Sequence, residues 1–432
     1  MKGVFVQSFG CRASQADGAA LETSLKEAGY RTVGDAAHAE LVVLNTCTVT
    51  HSADVDTRRT IRNLQRDHPQ AEILVTGCYA QRAPEELAAM PGVRWVVGNT
   101  HKNEIAQIIA DCTELYHGRI FAGDIAYESV FRAMAVNGPQ EDRARPNLKI
   151  QDGCSNRCSF CIIPTVRGRS RSASAESVVE QIRKLSEKHC EIVLTGINLG
   201  RWGRDLPGNL RFADLLRRLL RETSVRRLRI SSVEPMDWSA DLLELIASED
   251  RIAKHVHLPL QSGSDAVLKR MFRKYRTRHY ASRVELARQW MPDAGIGADV
   301  MTGFPGETER EFEETVTFIK QQPFTYLHVF TYSERPGTRA AEESNPVPVP
   351  LRHERTRILR EVSAEKNLLF RRAMIGKCLS AVTLEQPRTA LTSNFLRLEL
   401  AHELTPNQLV DVEVGSVSET GLREKALLPV LT

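Results

Sequence analysis

Cys154-Ser155-Asn156-Arg157-Cys158-Ser159-Phe160-Cys161 places three thiols on one short loop at CxxxCxxC spacing. Three thiolates so arranged can hold three irons of a 4Fe–4S cluster and leave the fourth iron open to an outside ligand. A structural zinc loop is the competing reading. Zinc takes four protein ligands, usually in two pairs, and the neighbourhood of this loop offers three cysteines and no histidine.

Three further cysteines each follow an apolar run. Cys11 sits in Ser8-Phe9-Gly10-Cys11, Cys47 in Asn45-Thr46-Cys47-Thr48, and Cys78 in Thr76-Gly77-Cys78-Tyr79. Residues just past the carboxyl ends of parallel strands line a common crevice, so three cysteines remote in sequence can converge as metal ligands. The alternative is that each is a small buried apolar residue. Cys112, Cys190 and Cys378 have no companion at ligand spacing and read as structural. With nine cysteines, an odd number, and no export signal, metal or redox chemistry is the better default than a disulfide scaffold.

Several elements must position these residues. Residues 1 to about 135 alternate strands and helices: Val4-Phe5-Val6, Leu41-Val42-Val43-Leu44, Ile73-Leu74-Val75 and Val93 to Val97 as strands, Leu21 to Ala28 and Val55 to Asp67 as helices. Unbroken apolar strands are those of a parallel sheet buried on both faces. Residues 122–147 are polar and irregular, a linker. From Leu148 to about Arg360 strands end at Thr195-Gly196, Ser232-Val233-Glu234-Pro235, Gln261-Ser262-Gly263, Thr302 to Gly306 and Thr331-Tyr332-Ser333, with amphipathic helices between. That series predicts a full or partial β/α barrel with its site at the carboxyl ends of the strands. After Cys378 short apolar runs separated by turns predict a small all-β module. The fold class is thus α/β: an open parallel sheet, a barrel, and a small β-barrel.

The 432-residue chain exceeds one ordinary core. Its 42% hydrophobic and 26% charged content is that of a globular protein, with no apolar run of membrane-spanning length. Met1 to Val6 reads as a first strand and not a signal peptide, so a cytoplasmic, non-membrane protein is expected. Net charge is only +4, but Arg167-Gly168-Arg169-Ser170-Arg171 and the run Lys269, Arg270, Arg273, Lys274, Arg276, Arg278 are local basic clusters. Each is either a phosphate grip or a solvated helix face. His255 and His257 alternate on one strand and share a face, more simply as polar contacts inside the barrel than as metal ligands.

The loop, with aromatic Phe160 before the last cysteine, resembles the radical S-adenosylmethionine (SAM) superfamily. Ile150-Gln151-Asp152-Gly153-Cys154 through Cys161-Ile162-Ile163-Pro164 with Arg167-Gly168 resembles the methylthiotransferase family within it. So do Asn45-Thr46-Cys47, Gly77-Cys78 with Ala80-Gln81, Pro259 to Ser264, Gly303-Phe304-Pro305-Gly306-Glu307-Thr308 and Arg335-Pro336-Gly337-Thr338. The resemblance covers essentially the whole chain and implies an N-terminal methylthiotransferase domain over 1–120, a linker over 121–139, a radical SAM core over 140–370 and a TRAM domain over 371–432. Cys47-Thr48-Val49-Thr50 with Ala53-Asp54 looks most like the branch acting on N6-threonylcarbamoyladenosine. Ser14 and Thr165 depart from the family pattern, which usually has asparagine and tyrosine there.

By that resemblance Cys154, Cys158 and Cys161 hold the radical SAM cluster, where SAM is split to a deoxyadenosyl radical that takes hydrogen from carbon 2 of the adenine. Cys11, Cys47 and Cys78 hold an auxiliary 4Fe–4S cluster that carries the methylthio sulfur. The two centres must then face one cavity. Thr195 and Gly196, Glu234, and Gly303 to Gly306 are the expected SAM contacts: methionine amine, ribose and adenine respectively. Expected partners are tRNA and an electron donor such as flavodoxin or ferredoxin, with the protein a monomer. The alternatives are the same chemistry on isopentenyladenosine or on a ribosomal protein aspartate, and, in a different class, a non-catalytic zinc-bearing nucleic-acid-binding protein.

Overall fold

The computed structural model describes residues 2–111, 118–128, 130–131 and 144–425. Cys112, expected to be structural, and linker residues 129 and 132–139 lie outside the described residues.

Six parallel strands form the N-terminal sheet: β1 (Gly3–Ser8), β2 (Arg31–Thr32), β3 (Leu41–Thr46), β4 (Glu72–Gly77), β5 (Val93–Val97) and β6 (Arg119–Phe121), in the order β2-β1-β3-β4-β5-β6. β3 and β5 are buried at every residue, Arg94, Asn45 and Thr46 included, as strands covered on both faces are. β2 and β6 are edge strands of two and three residues, too short to stand out as apolar runs. The order reverses between β1 and β3, so a crevice opens at the carboxyl ends of these two strands.

Helix α1 spans Arg12–Glu27, α2 His51–Asp67 and α3 Cys78–Arg82. The sequence pattern marks only the second half of α1. Its first half carries Ser14, Asp17 and Gly18, all buried, and buried polar residues break the apolar periodicity that signals a helix.

The second layer is a partial barrel. β7 (Asn147–Lys149), β8 (Gln151–Asp152), β9 (Arg171–Ser172), β10 (Glu191–Thr195), β11 (Arg227–Ile230), β12 (His255–His257), β13 (Gly295–Thr302) and β14 (Tyr326–Thr331) follow in chain order. β7, β10 and β11 make one parallel sheet and β12, β13 and β14 another; β8 and β9 pair as a separate ribbon. The two sheets meet where Leu228 bridges Ile252 and where Val233 N donates to His257 O at 3.2 Å. Ile192, Leu194, Leu228 and Ile230 face the helices and join the main core. Their strand neighbours, Glu191, Val193, Thr195, Arg227 and Arg229, therefore look into the barrel.

A 24-residue helix, Val349–Arg372, leads to the last module. There β15 (Cys378–Thr383), β16 (Thr389–Thr392), β17 (Arg397–Glu399), β18 (Leu409–Val417) and β19 (Leu422–Glu424) close into a five-stranded barrel in the order β15-β16-β17-β19-β18, consistent with a TRAM domain. It is docked under the larger barrel by Arg229, which donates to Thr392 O at 3.0 Å and Ser393 O at 3.1 Å, and by Asn394 Nδ2, which donates to Asp293 O at 2.9 Å.

Candidate metal centre

Cys11 follows β1, Cys47 follows β3 and Cys78 follows β4, and these three strands are adjacent in the sheet. Strands lie ~4.8 Å apart, so the three cysteines are gathered at one edge. Cys11 is the N-cap of α1 and Cys78 the first residue of α3; helix N-termini favour thiolate. Gly10 (φ +90°) lies so close to Cys47 that a Cβ there would be 2.6 Å from the Cys47 Cβ, so no larger residue fits. Gly77 (φ +98°) has no room either: a Cβ would meet Thr46 O at 2.4 Å. Burial, then the neighbouring Cys78 and Cys11 thiols, pushes Cys47 up to about 12 despite help from Arg167. A thiol buried as Cys47 is, with two others nearby, needs a cationic centre to ionise, and an iron–sulfur cluster is such a centre.

The second triad sits on the loop between β8 and the helix Ile163–Arg167. Cys154 N is fixed by Gly168 O at 3.0 Å and Cys161 N by Cys158 O at 3.1 Å. Burial, then Cys158 and Cys154, pushes Cys161 up to about 12. Each of two sulfurs has a side-chain donor: Asn198 Nδ2 to Cys154 Sγ at 3.5 Å and Arg273 Nη1 to Cys158 Sγ at 3.2 Å. Such donors stabilise negative charge on cluster sulfurs.

The N-terminal triad is joined to the segment that follows the second triad. Cys78 packs in one apolar cluster with Ile162 and Val166, immediately after Cys161. Arg167 Nε donates to Cys78 Sγ at 3.2 Å, while Nη1 takes Asp152 at 2.9 Å and Nη2 takes Asp17 at 2.9 Å. Asp17 also pairs with Lys149 and Lys102, and Asn99 Nδ2 donates to Val166 O at 2.7 Å. A second buried junction joins Thr48 Oγ1 to Asp54 at 2.7 Å, with Arg82 donating to both and Arg335, from the barrel segment, pairing with Asp54. Cys78 thus lies at the junction between the sheet and the barrel, against the residues that follow Cys161.

Among the described residues, one set of three His, Cys, Asp or Glu ligand atoms comes mutually within 4.8 Å: His257, Asp299 and His328. Neither cysteine triad draws in that far, whereas the sulfurs of a tetrahedral zinc site stand ~3.8 Å apart at Zn–S ≈ 2.3 Å. The wider spread fits a cubane. His255 and His257 do share an inward face, as their alternation predicts; His257 Nδ1 pairs with Ser232 Oγ at 2.7 Å and Nε2 faces Asp299 at 3.3 Å. Burial disfavours the Asp299 charge, but His257 and His328 more than offset it and hold its carboxyl low.

Thr195 ends β10, and its carbonyl accepts from Ile150 N at 3.0 Å. Gly196 abuts Gln151, whose Cβ and carbonyl would stand 3.0 Å from any added Cβ. Both therefore flank the strand that leads into Cys154. Glu234 accepts from Arg273 Nη2 at 2.6 Å, the same guanidinium that reaches Cys158. Gly303 and Gly306 (both φ +71°) shape a turn lying against Arg352 and Asn345. That turn meets the cysteine loop through Phe304, in one apolar cluster with Phe160.

The basic clusters are put to other uses than phosphate binding at three of their members. Arg167, Arg171 and Arg273 are buried, and their guanidiniums bond sulfur, carboxylates and carbonyls; Arg169, Lys269, Lys274 and Arg278 remain exposed. Charge alone does not reveal burial, so sequence reasoning missed the thiolate-facing role of Arg167 and Arg273. Of the cysteines read as structural, Cys190 is buried and donates to Asn407 O at 3.0 Å, while Cys378 is exposed.

Two family models match the chain: one described as an uncharacterized protein family, UPF0004, over residues 3–98, and the radical SAM superfamily over residues 148–319. A threonylcarbamoyladenosine tRNA methylthiotransferase, MtaB, of Aquifex aeolicus is 38% identical over 400 residues, covering 92% of this chain and 96% of the relative. A tRNA-2-methylthio-N6-dimethylallyladenosine synthase of Syntrophobacter fumaroxidans is 33% identical over 400 residues, covering 90% and 86%. Among solved structures, the radical SAM methyltransferase TsrM of Kitasatospora setae superimposes with a TM-score of 0.58 at 16% identity, covering 79% of this chain and 75% of that one, a likeness of fold.

Proposed function

The chain belongs to the methylthiotransferase family of radical SAM enzymes, of the MtaB-like kind, and on that premise we propose that it adds a methylthio group to carbon 2 of N6-threonylcarbamoyladenosine at position 37 of tRNA, beside the anticodon, using two 4Fe–4S clusters and two molecules of SAM. As a radical SAM tRNA methylthiotransferase it requires a 4Fe–4S cluster and SAM, and its substrate is tRNA. No described helix is long and apolar enough to cross a membrane.

The observation that supports the two-cluster reading is the hydrogen bond by which Arg167 reaches Cys78 from the helix that begins two residues after Cys161. When bound, the groups held by Cys154, Cys158 and Cys161 and by Cys11, Cys47 and Cys78 would supply, respectively, reductive cleavage of SAM and the sulfur to be transferred. The chain itself does the positioning. Asn198 and Arg273 set the orientation of Cys154 and Cys158, and Arg273 also fixes Glu234, whose free oxygen is placed for a ribose hydroxyl. Thr195 and Gly196 offer backbone groups beside the same loop. The apolar contacts of Phe160 with Phe304 and of Cys78 with Ile162 and Val166 keep water from the wall between the centres. The C-terminal β-barrel and the exposed basic residues grip the tRNA, and the target base is splayed from its loop to reach the wall. An electron donor such as flavodoxin or ferredoxin, and a monomeric state, belong to the same proposal.

The test is anaerobic reconstitution followed by mass spectrometry of nucleosides from tRNA incubated with SAM and a reductant. The expected product is 2-methylthio-N6-threonylcarbamoyladenosine at about eight irons per chain. Product only on dimethylallyladenosine, or unchanged tRNA, would overturn the substrate reading; stoichiometric zinc in a colourless protein would overturn the clusters.

A further inference from the structure

The interior of the larger barrel carries more cations than the carboxylates around them neutralise. Glu191, fully buried, accepts from Arg229 at 2.7 and 3.1 Å and from Arg145 at 3.2 Å, with Arg227 at 3.7 Å. Arg12, the residue after Cys11, reaches the same region from the N-terminal domain. It lines a cavity of about 400 Å³ with Gln15, Arg145, Asn147, Val193 and Glu385. Val193 is on the inward face of β10, two residues below Thr195, and Glu385 is exposed, so this cavity is a cleft that runs from the barrel's inner face to the surface beside the C-terminal module. Glu385, the carboxylate on its wall, is engaged by Ala144 N at 2.5 Å. Among the described residues Arg12 makes no hydrogen bond or ion pair, and its guanidinium lies 5.8 Å from the ring of Phe395.

Phe395 belongs to the C-terminal β-barrel and has φ +70°, a left-handed backbone that costs a bulky residue about 1–2 kcal/mol. Its ring stacks on His255 at 4.4 Å and lies 5.6 Å from Arg229, so it props Arg12 on one side. A guanidinium is always charged, and holding it beside Arg145 and Arg229, with Glu191 shared among them and no carboxylate of its own in contact, is unfavourable. The arrangement fits an anion brought by the substrate.

We propose that Arg12 receives the carboxylate of the threonylcarbamoyl group and is the residue by which this enzyme distinguishes that anionic N6 substituent from an apolar one. This rests on the substrate reading above. Covalent geometry supports it: the carbon to be thiolated must meet sulfur at the centre held by Cys11, and the carboxylate lies roughly 7 Å from that carbon by standard bond lengths, within reach of the adjacent side chain.

The experiment measures binding of anticodon stem–loop RNAs to the reconstituted holoenzyme by fluorescence anisotropy. One RNA carries N6-threonylcarbamoyladenosine and the other its methyl ester, which is uncharged but nearly the same shape. Iron content and melting temperature are recorded for each variant. The wild type is expected to bind the acid about tenfold to hundredfold more tightly than the ester, the value of a charge-assisted pair. In Arg12→Gln that ratio should fall to near one, and in Arg12→Lys a smaller preference should survive. Equal binding of acid and ester by the wild type overturns the inference, as does a ratio unchanged in Arg12→Gln. Weakening of acid and ester together in Arg12→Gln, with the ratio intact, assigns Arg12 to a backbone phosphate instead and also overturns it. A wild type that prefers the acid but methylthiolates only dimethylallyladenosine fails the substrate reading on its own.

Discussion

Arg167 donates to the sulfur of Cys78 at 3.2 Å from a helix that starts just beyond Cys161, so one buried guanidinium ties the N-terminal cysteine triad to the loop of the second. Its remaining nitrogens are taken by Asp17 and Asp152, one carboxylate from each domain. No other side-chain type can serve three acceptors in one plane.

Arg167→Met should therefore do two kinds of damage. Leaving Asp17 and Asp152 short of a partner in a buried network costs about 3–5 kcal/mol, partly relieved by Lys149 and Lys102. Loss of the donor to Cys78 should lower metal retention or product formation by roughly 10–100-fold. Arg167→Lys restores charge but not the fork, so it should recover melting temperature more than methylthio product. If both variants make product at the wild-type rate, Arg167 has no part in positioning Cys78.

Replacing any of Cys11, Cys47 or Cys78 by alanine should separate two activities. SAM cleavage to deoxyadenosine depends on the Cys154 loop and should persist, whereas methylthio product should vanish and bound iron should fall by about half. Chromatography of deoxyadenosine, nucleoside mass spectrometry and iron analysis on the same preparation check this. Full turnover in one of these variants removes that cysteine from the chemistry.

The placement of the six cysteines was legible because its signal is local: spacing for one triad, strand ends for the other. The parallel sheet was legible for a related reason, since β3 opens on four consecutive apolar residues and β5 is apolar but for Arg94. What could not be read is everything that depends on burial of a charged group. Arg167 and Arg273 look like surface phosphate contacts in the sequence and are interior donors in the fold. The first turns of α1 look polar because Ser14 accepts from Asn45 inside its own domain and Asp17 serves the junction with the barrel. Strand β16, Thr389–Thr392, follows Pro387-Arg388 and reads as part of a turn, yet every residue of it is buried.

Asp54 and Arg335 are 281 positions apart and pair inside the protein, with Thr48 and Arg82 completing the junction beside Cys47. Arg335→Met leaves Asp54 with Arg82 alone, a loss of about 2 kcal/mol at the interface. Because the junction sets how the N-terminal sheet meets the barrel, product should drop more steeply than SAM cleavage. Equal losses in the two activities would mean that Arg335 merely stabilises the fold.

Glu191 gives the structure a defined acid limit. Burial alone would raise its carboxyl, but Arg229, then Arg145 and Arg227, bring it down to about 2 from an ordinary 4.5. A carboxylate lowered in the folded state stabilises fully above its unfolded value, and that contribution is lost as pH falls toward the folded one. The window is therefore pH 4.5 to about 2, and the contribution is on the order of 3 kcal/mol. Since Arg229 also holds Thr392 O and Ser393 O, protonation of Glu191 should loosen the C-terminal barrel first. Thermal melts of the wild type should fall more steeply across that window than those of Glu191→Gln, which starts lower because three arginines lose their counter-charge but has no carboxyl to titrate. Parallel pH profiles for the two proteins would place the acid sensitivity elsewhere, in Asp17 and Asp152, whose carboxyls are also held low by buried cations.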